Sequence, residues 1–211
     1  MMKLLYTTDL HFNKEWFKWV EKQQDSYDAF CITGDFLDSS KDESLSQQIE
    51  WVTNWIKNFK KSLFVCSGNH DIEDFENEEW LNSINTSNYY PDNTIITLNG
   101  LKFGCYPYLG ADGYYEFDEC DILLTHTPPA NIKTAIDKSS KKDWGDKELY
   151  HAIKNGIISP KVVLCGHIHQ PLANVDTLKN TTVYNVGLSD DLKKPNYDFF
   201  VLFESPTYLQ M

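Results

Sequence analysis

The chain has 211 residues, of which 41% are hydrophobic and 14% aromatic, so we expect one globular domain over residues 1–211 rather than a disordered protein. Its formal net charge is −12, and a surface this acidic repels a phosphate backbone, which disfavours nucleic acid as a partner. The N-terminal residues do not resemble a signal peptide, and no apolar run approaches the roughly 18 residues of a membrane span. These features favour a cytoplasmic protein without membrane association.

The basic residues are of one kind, because all 19 are lysines and the chain contains no arginine. A planar guanidinium clamp on phosphate is therefore absent from this sequence. Metal ions, imidazoles, amides or lysine would have to hold any bound phosphate. The five cysteines are odd in number and form no Cys-x-x-Cys motif, so neither a disulfide framework nor a thiolate zinc site is expected.

The first half of the chain alternates short apolar strands with amphipathic helices. Strands are predicted at residues 3–8, 28–33 and 62–67, and helices at residues 14–24, 43–60 and 75–84. The second helix has the clearest pattern, because five apolar side chains recur at helical spacing between residues 45 and 59. This alternation indicates successive βαβ units.

The second half is predicted to be richer in strands. Asn99-Gly100 between two apolar runs predicts a hairpin of residues 94–98 and 101–106. Further strands are predicted at residues 121–125, 161–165, 181–186 and 197–203. Asp146 is predicted to cap a helix that Gly156 and Pro160 would end. Residues 130–145 are predicted to form a mobile loop. We therefore expect a mainly antiparallel second half and two sheets packed face to face, with helices outside.

Five short motifs rich in Asp, Asn, His and Gly follow apolar strands. They are Asp9-Leu10-His11, Gly34-Asp35-Phe36-Leu37-Asp38, Gly68-Asn69-His70-Asp71, Thr125-His126-Thr127 and Gly166-His167-Ile168-His169. Ligands of layered α/β proteins collect at the carboxyl ends of strands, so we expect the motifs to converge on one rim. Their glycines would let the backbone come close to a bound ion. Oxygen and imidazole ligands from five loops suit a pair of divalent metal ions, which predicts a metal-dependent hydrolase.

In this order, the motifs resemble the signature of the calcineurin-like metallophosphoesterase superfamily, over residues 9–169. The resemblance implies an α/β fold, a four-layer αββα sandwich of two mixed β-sheets flanked by helices. It also implies hydrolysis of a phosphate ester by a hydroxide that bridges two divalent metal ions. Mn²⁺ is the expected metal, with Fe and Zn²⁺ as alternatives, because all three accept mixed nitrogen and oxygen ligands.

The resemblance assigns a role to each motif residue. It implies a ligand set in two halves with one shared carboxylate, namely Asp9, His11 and His169 for the first ion, Asn69, His126 and His167 for the second, and Asp35 for both. His70 would stabilise the transition state or protonate the leaving oxygen without binding metal. Asp38 and Asp71 would orient histidines from behind the metal ligands.

The expected substrate is a small phosphorylated molecule, and a phosphodiester is favoured over a monoester. A dianionic monoester gains from additional cationic clamps, and this chain has no arginine to supply them. Three alternatives are a phosphomonoesterase, a catalytically silent scaffold with the same fold, and a nuclease, which the net charge disfavours. Aromatic residues between positions 106 and 117 could stack on a base or an aryl group, although packing of their own loop is the favoured interpretation.

Overall fold

The computed structural model describes residues 1–74, 79–109 and 113–202, which contain three α-helices and two mixed β-sheets. The helices are α1 (Lys14–Lys22), α2 (Leu45–Asn58) and α3 (Lys147–Asn155). The strands are β1 (Met2–Thr7), β2 (Ala29–Thr33), β3 (Ser62–Cys66), β4 (Tyr89–Tyr90), β5 (Ile95–Leu98), β6 (Leu101–Cys105), β7 (Ile122–Leu124), β8 (Val162–Cys165), β9 (Val175–Leu178), β10 (Thr181–Asn185) and β11 (Tyr197–Leu202).

Both sheets have a parallel centre. The first has the order β11-β1-β2-β3-β4, in which only β11 is antiparallel to its neighbour. The second has the order β5-β6-β7-β8-β10-β9, with antiparallel strands at its two edges. The prediction of a mainly antiparallel second half is therefore wrong. The segments that follow β6 and β7 are long enough to cross over and bring the next strand back in parallel.

The sheets pack face to face between two helical layers. Phe17 of α1 and Val52 of α2 are buried against Phe30 on the outer face of the first sheet. Between the sheets, Phe64 stacks on Phe103 with ring centroids 4.3 Å apart. Helix α3 packs in a third apolar cluster on the outer face of the second sheet. These layers confirm the predicted four-layer αββα sandwich.

Local side chains set the helix ends. Asn13 caps α1, and Ser44 forms a capping box with Gln47 that begins α2 later than the predicted residue 43. Asp146 caps α3, and Gly156 ends it with a φ of 72°, as predicted. The predicted hairpin is also confirmed, because the two residues between β5 and β6 both have positive φ.

Three further predictions differ from the structure or lie partly outside it. Of the helix predicted over residues 75–84, residues 75–78 lie outside the described residues, and the remainder is wrong because residues 79–83 form successive turns. There the Ser83 hydroxyl donates to the Trp80 carbonyl at 2.7 Å, in competition with a regular helix. Residue 203 of the last predicted strand also lies outside the described residues. The loop of residues 130–145 is anchored by the buried Ile132 and Ala135. None of the helices in the described part of the chain is long and apolar enough to span a membrane.

Candidate metal centre

All five motifs meet at the carboxyl ends of β1, β2, β3, β7 and β8, where the two sheets share a rim. One group of side chains there is formed by Asp9, His11, Asp35 and His169. One ligand atom of each lies within 4.8 Å of the others. The Nε2 atoms of His11 and His169 are 3.1 Å apart. We call these residues the first cluster.

Asn69, His126 and His167 form a second cluster beside the first. The Asn69 Oδ1 atom lies 2.9 Å from His167 Nδ1 and 3.1 Å from His126 Nε2. Asp35 joins the two clusters, because its Oδ2 atom is 3.4 Å from His126 Nε2 and 3.9 Å from His11 Nε2. The structure thus brings together all seven residues that the sequence predicted as metal ligands.

The backbone of these loops is held in an uncommon conformation. Asp9, His11, Asp35 and His167 have φ values of 53°, 42°, 55° and 68°, in the left-handed region that non-glycine residues rarely adopt. Main-chain hydrogen bonds fix two of the loops to each other, since His11 N donates to Asp35 O at 2.9 Å and Asp9 N donates to Gly34 O at 3.1 Å. Such strain is retained where the surrounding structure holds functional groups in place.

One oxygen of the first cluster has the surroundings expected of a cation ligand. Within the described residues, the buried Asp9 Oδ1 has no hydrogen-bond partner, which is costly for a carboxylate oxygen. The other oxygen, Oδ2, accepts from the Thr8 hydroxyl at 2.7 Å and from His167 N at 3.2 Å. The Nε2 atom of His169 faces Oδ1 at 3.5 Å. Nitrogen and oxygen donors around an unpaired buried oxygen fit a divalent metal ion.

The tautomer of His126 is fixed by the fold. Its Nδ1 atom lies 2.7 Å from the Thr33 carbonyl oxygen, which can only accept, so Nδ1 carries a proton. In the neutral ring, Nε2 therefore presents a lone pair to the second cluster. Burial lowers the pKa of His126, but the carboxylates of Asp35 and Asp9 outweigh it and raise the pKa to about 9. A cation bound at Nε2 would consequently displace a proton.

His167 and Asp35, the neighbours of His126, also have shifted pKa values. Burial and the adjacent His126 lower the pKa of His167 to about 4, which keeps its imidazole neutral at pH 7. Burial opposes ionisation of Asp35, but His126 and His11 hold the pKa of this carboxyl below its usual range. The site therefore offers ionised carboxylates and a neutral His167 imidazole, which are protonation states that metal binding requires, while His126 would lose its Nε2 proton to a bound ion.

Asp38 and Asp71 do not have their predicted roles. The Asp71 carboxylate accepts from four backbone amides at 2.8–3.1 Å, those of Asp35, Phe36, Leu37 and Gly68. Asp38 accepts from Ser40 and pairs with Lys41. Among the hydrogen bonds of the described residues, neither carboxylate contacts a histidine, so the predicted orienting role is wrong. Asp71 instead holds the Asp35 loop against the turn that carries Asn69.

The residue beside His70 was missed by the sequence reasoning. His70 is 29% exposed, its backbone N donates to Asp35 Oδ1 at 2.9 Å, and its Nδ1 lies 2.7 Å from Glu73 Oε1. Glu73 directly follows the short 3-10 turn of Asn69–Ile72 that begins in the third motif. The i,i+3 spacing within a turn is the sequence signal that could have identified this pair.

A buried amide outside the five motifs supports the loop after β8. The Asn185 Nδ2 atom donates to the carbonyls of Gly166 and Ile168 at 2.9 and 3.2 Å, and Gly187 N donates to Asn185 Oδ1 at 2.9 Å. These bonds fix the backbone between His167 and His169. The side chain of Asn185 thereby orients two members of the clusters without facing them.

Gly166 allows this loop to approach β1, as expected for the motif glycines. A Cβ atom at this position would overlap the Thr8 hydroxyl and Asp9 Oδ2. We expect Gly166→Ala to lower the free energy of unfolding by about 1–3 kcal/mol through overpacking. The displaced Asp9 should also lower Mn²⁺ affinity at least about tenfold. Denaturant unfolding and Mn²⁺ titration measure the two effects.

Gly156→Ala is the matched control, because Gly156 has a φ of 72° but open space around it. It should cost about 1 kcal/mol of stability and leave Mn²⁺ affinity as in the wild type. Wild-type Mn²⁺ affinity in Gly166→Ala would show that the close approach to Asp9 does not matter for the site.

Asp92 holds the turn before Asn69 by a hydrogen bond. Because its carboxyl group is buried, its ionisation lowers the free energy of unfolding. Its Oδ1 accepts from Ser67 N at 2.9 Å, and burial raises its pKa from the ordinary 3.8 to about 6. The folded protein holds this proton more tightly than the unfolded chain, so the free energy of unfolding falls as the pH rises from about 4 to about 6. Asp92→Asn keeps the acceptor and should raise that free energy by about 1–3 kcal/mol at pH 7.5.

The gain should shrink towards pH 4.5, which denaturant unfolding at both pH values can measure. The control is Asp190→Asn at an exposed aspartate, for which we expect no comparable gain. A gain for Asp92→Asn that is equal at the two pH values would contradict the role given to burial of its charge.

Comparison with known proteins agrees with this geometry. The profile of the calcineurin-like phosphoesterase family matches residues 2–171, which is most of the chain. The chain therefore belongs to the calcineurin-like phosphoesterase family, and the resemblance seen in the motifs is confirmed. No curated protein matches it in sequence.

Several solved structures share the fold at low identity. One is the protein TT1561 of Thermus thermophilus, which is 15% identical with a TM-score of 0.64 over 91% of this chain and 90% of that one. Another is the purple acid phosphatase PPD1 of yellow lupin (Lupinus luteus) seeds, 13% identical with a TM-score of 0.58 over 88% of this chain and 44% of that one. A third is the sulfate thiohydrolase SoxB of Thermus thermophilus, 12% identical with a TM-score of 0.56 over 95% and 53% of the two chains. These likenesses establish the fold alone.

Proposed function

We propose that this protein is a two-metal phosphoesterase that hydrolyses a small phosphodiester. The observation that carries the proposal is the arrangement of seven side chains in two clusters that share the Asp35 carboxylate. Family membership supports phosphate-ester hydrolysis as the reaction.

The first cluster would hold one divalent ion and the second cluster the other, with Asp35 contacting both. Bound there, the ions would supply Lewis-acid activation of water and of the phosphoryl oxygens. Mn²⁺ is the metal we propose, and the donor set also accepts Fe and Zn²⁺. The chain itself supplies ionised Asp9 and Asp35, and the bond from His126 Nδ1 to the Thr33 carbonyl leaves Nε2 as the atom that would bind the ion once its proton is displaced.

His70 is the proposed general acid. Its backbone is tied to Asp35, and its partly exposed ring lies beside the clusters, with Nε2 4.0 Å from Asp35 Oδ2. Glu73 Oε1 lies 2.7 Å from His70 Nδ1, the ring nitrogen other than the one proposed to donate the proton. A proton delivered to the departing alkoxide or phenolate would lower the barrier to cleavage.

A diester is proposed over a monoester because the chain has no arginine to neutralise a second negative charge. The test begins with metal-depleted protein that is reconstituted separately with Mn²⁺, Fe²⁺ and Zn²⁺. We expect metal-dependent turnover, faster on bis(p-nitrophenyl) phosphate than on p-nitrophenyl phosphate. Faster monoester turnover with every metal would favour a phosphomonoesterase. No turnover of any phosphate ester would favour the silent scaffold.

A further inference from the structure

A cleft of about 810 Å³ opens beside the two clusters. Asn69, His167 and His169 border it, so a phosphoryl group held between the clusters would extend into this space. The volume far exceeds one phosphate group and falls within the range of small-molecule sites. The cleft therefore has room for the organic part of an ester.

The outer wall of the cleft is apolar and partly aromatic. It contains Tyr108, Leu109 and Trp144, and the last two side chains are 59% and 50% exposed. Tyr108 also lies edge-to-face with His126, at a centroid distance of 5.7 Å, so this wall reaches the second cluster. Large apolar side chains exposed together in a concave site indicate a surface that binds a ligand.

Tyr106 and Tyr114, which lie near Tyr108 in the sequence, pack against each other. Tyr106 and Tyr114 stack on each other with ring centroids 4.0 Å apart, and Tyr106 also contacts Phe117. For these residues the favoured interpretation, packing of their own loop, is confirmed. Among the described residues, Tyr108 and Trp144 are the tyrosine and the tryptophan that line the cleft.

The charges on the cleft disfavour an anionic group on the ligand. Asp137 and Asp146 are among the lining residues, and among the described residues that line the cleft there is no lysine. Hydrogen bonds from Ser140 and Ser139 lower the pKa of Asp137 to about 2, so its carboxylate stays ionised. A second phosphate on the substrate would face the charges of these two carboxylates.

A cationic group is also disfavoured. The Lys142 Nζ atom lies 3.2 Å from the centroid of the Trp144 ring, so an ammonium already occupies one face of the indole. Asp146 is engaged with the first turn of α3 and Asp137 with its own loop, which leaves both carboxylates hydrogen-bonded. A ligand cation would meet the charge of Lys142 and find these carboxylates already partnered.

We infer that the cleft binds a flat, uncharged ring on the organic part of the substrate, an aryl group or the base of a nucleoside, and that Trp144 determines this specificity. The inference rests on the proposed function and narrows it to diesters with a single phosphoryl group. The ring would stack on the half-exposed indole where it lines the cleft, while the clusters hold the phosphoryl group.

The test uses Mn²⁺-loaded protein and three diesters that share the p-nitrophenolate leaving group. Their second ester group is phenyl, methyl or choline. We expect the wild type to prefer the phenyl diester. Trp144→Ala should lower kcat/KM for the phenyl diester by about tenfold, mainly through KM, and much less for the methyl diester. Trp144→Phe should restore the preference, and Tyr115→Ala is the control at an exposed aromatic outside the cleft.

The affinities for phenylphosphonate and methylphosphonate, measured by titration calorimetry, give a readout that is independent of turnover. Trp144→Ala should weaken only the phenyl ligand. An equal loss for phenyl and methyl compounds, or a wild-type preference for the choline diester, would overturn the inference. If no ester is hydrolysed while phenylphosphonate binding still depends on Trp144, the proposed function fails and the ring-binding cleft stands.

Discussion

We expect Asp35→Asn to lower kcat/KM for a phosphodiester by about 1,000-fold or more, the largest effect of any single substitution considered. Asp35 is the carboxylate between the clusters, with Oδ2 3.4 Å from His126 Nε2 and 3.9 Å from His11 Nε2. Asparagine keeps an oxygen that can accept from His70 N but removes the negative charge. Loss of that charge should weaken binding of both metal ions.

The measurements are steady-state turnover and Mn²⁺ stoichiometry, with circular dichroism to verify folding. Asp38→Asn is the matched control from the same loop, because the Asp38 carboxylate interacts with Ser40 and Lys41 and not with the cluster residues. It should keep near wild-type activity. An Asp35→Asn protein that still binds two Mn²⁺ ions and turns over normally would contradict the bridging role.

We expect His70→Ala to lower kcat by about 100- to 1,000-fold while Mn²⁺ binding is retained. His70 lies beside the clusters, and Glu73 is positioned 2.7 Å from its Nδ1 atom. If His70 donates the proton, the loss should be larger for an alkoxide leaving group than for p-nitrophenolate, which departs without protonation. Comparison of the two leaving groups therefore separates general acid catalysis from simple charge stabilisation.

His151→Ala is the control for His70→Ala, because His151 is exposed on α3 outside the motifs. Its removal should not change turnover. Undiminished turnover in His70→Ala would remove His70 from the mechanism. An equal loss with both leaving groups would assign it to stabilisation of the phosphoryl charge instead.

The parts of the fold that the sequence predicted are those set by local side chains. The hairpin follows from Asn99-Gly100, and α3 follows from the Asp146 cap and the Gly156 end. The parallel centre of the second sheet was missed because strand partners depend on how the intervening segments cross the sheet. The two-residue β4 and the partly polar β9 carry too little apolar pattern to be seen.

For the candidate site too, the sequence predicted what depends on local motifs and missed what depends on the folding of the loops. The motif residues converge because each ends a strand, and parallel strands place their carboxyl ends at one edge. Glu73 and Trp144 were missed because their relation to the site arises from a tight turn and from a long loop folded over the rim. That Asp9, His11, Asp35, Asn69, His126, His167 and His169 bind metal stays a prediction, as do the single domain over residues 1–211 and the cytoplasmic location.

The most direct test is a crystal structure of the protein soaked in Mn²⁺, with anomalous scattering used to locate the ions. The account predicts two anomalous peaks, one within each cluster, with the Asp35 carboxylate contacting both. A crystal in excess Mn²⁺ with no peak at this rim, or with the cluster imidazoles directed away from one another, would contradict it.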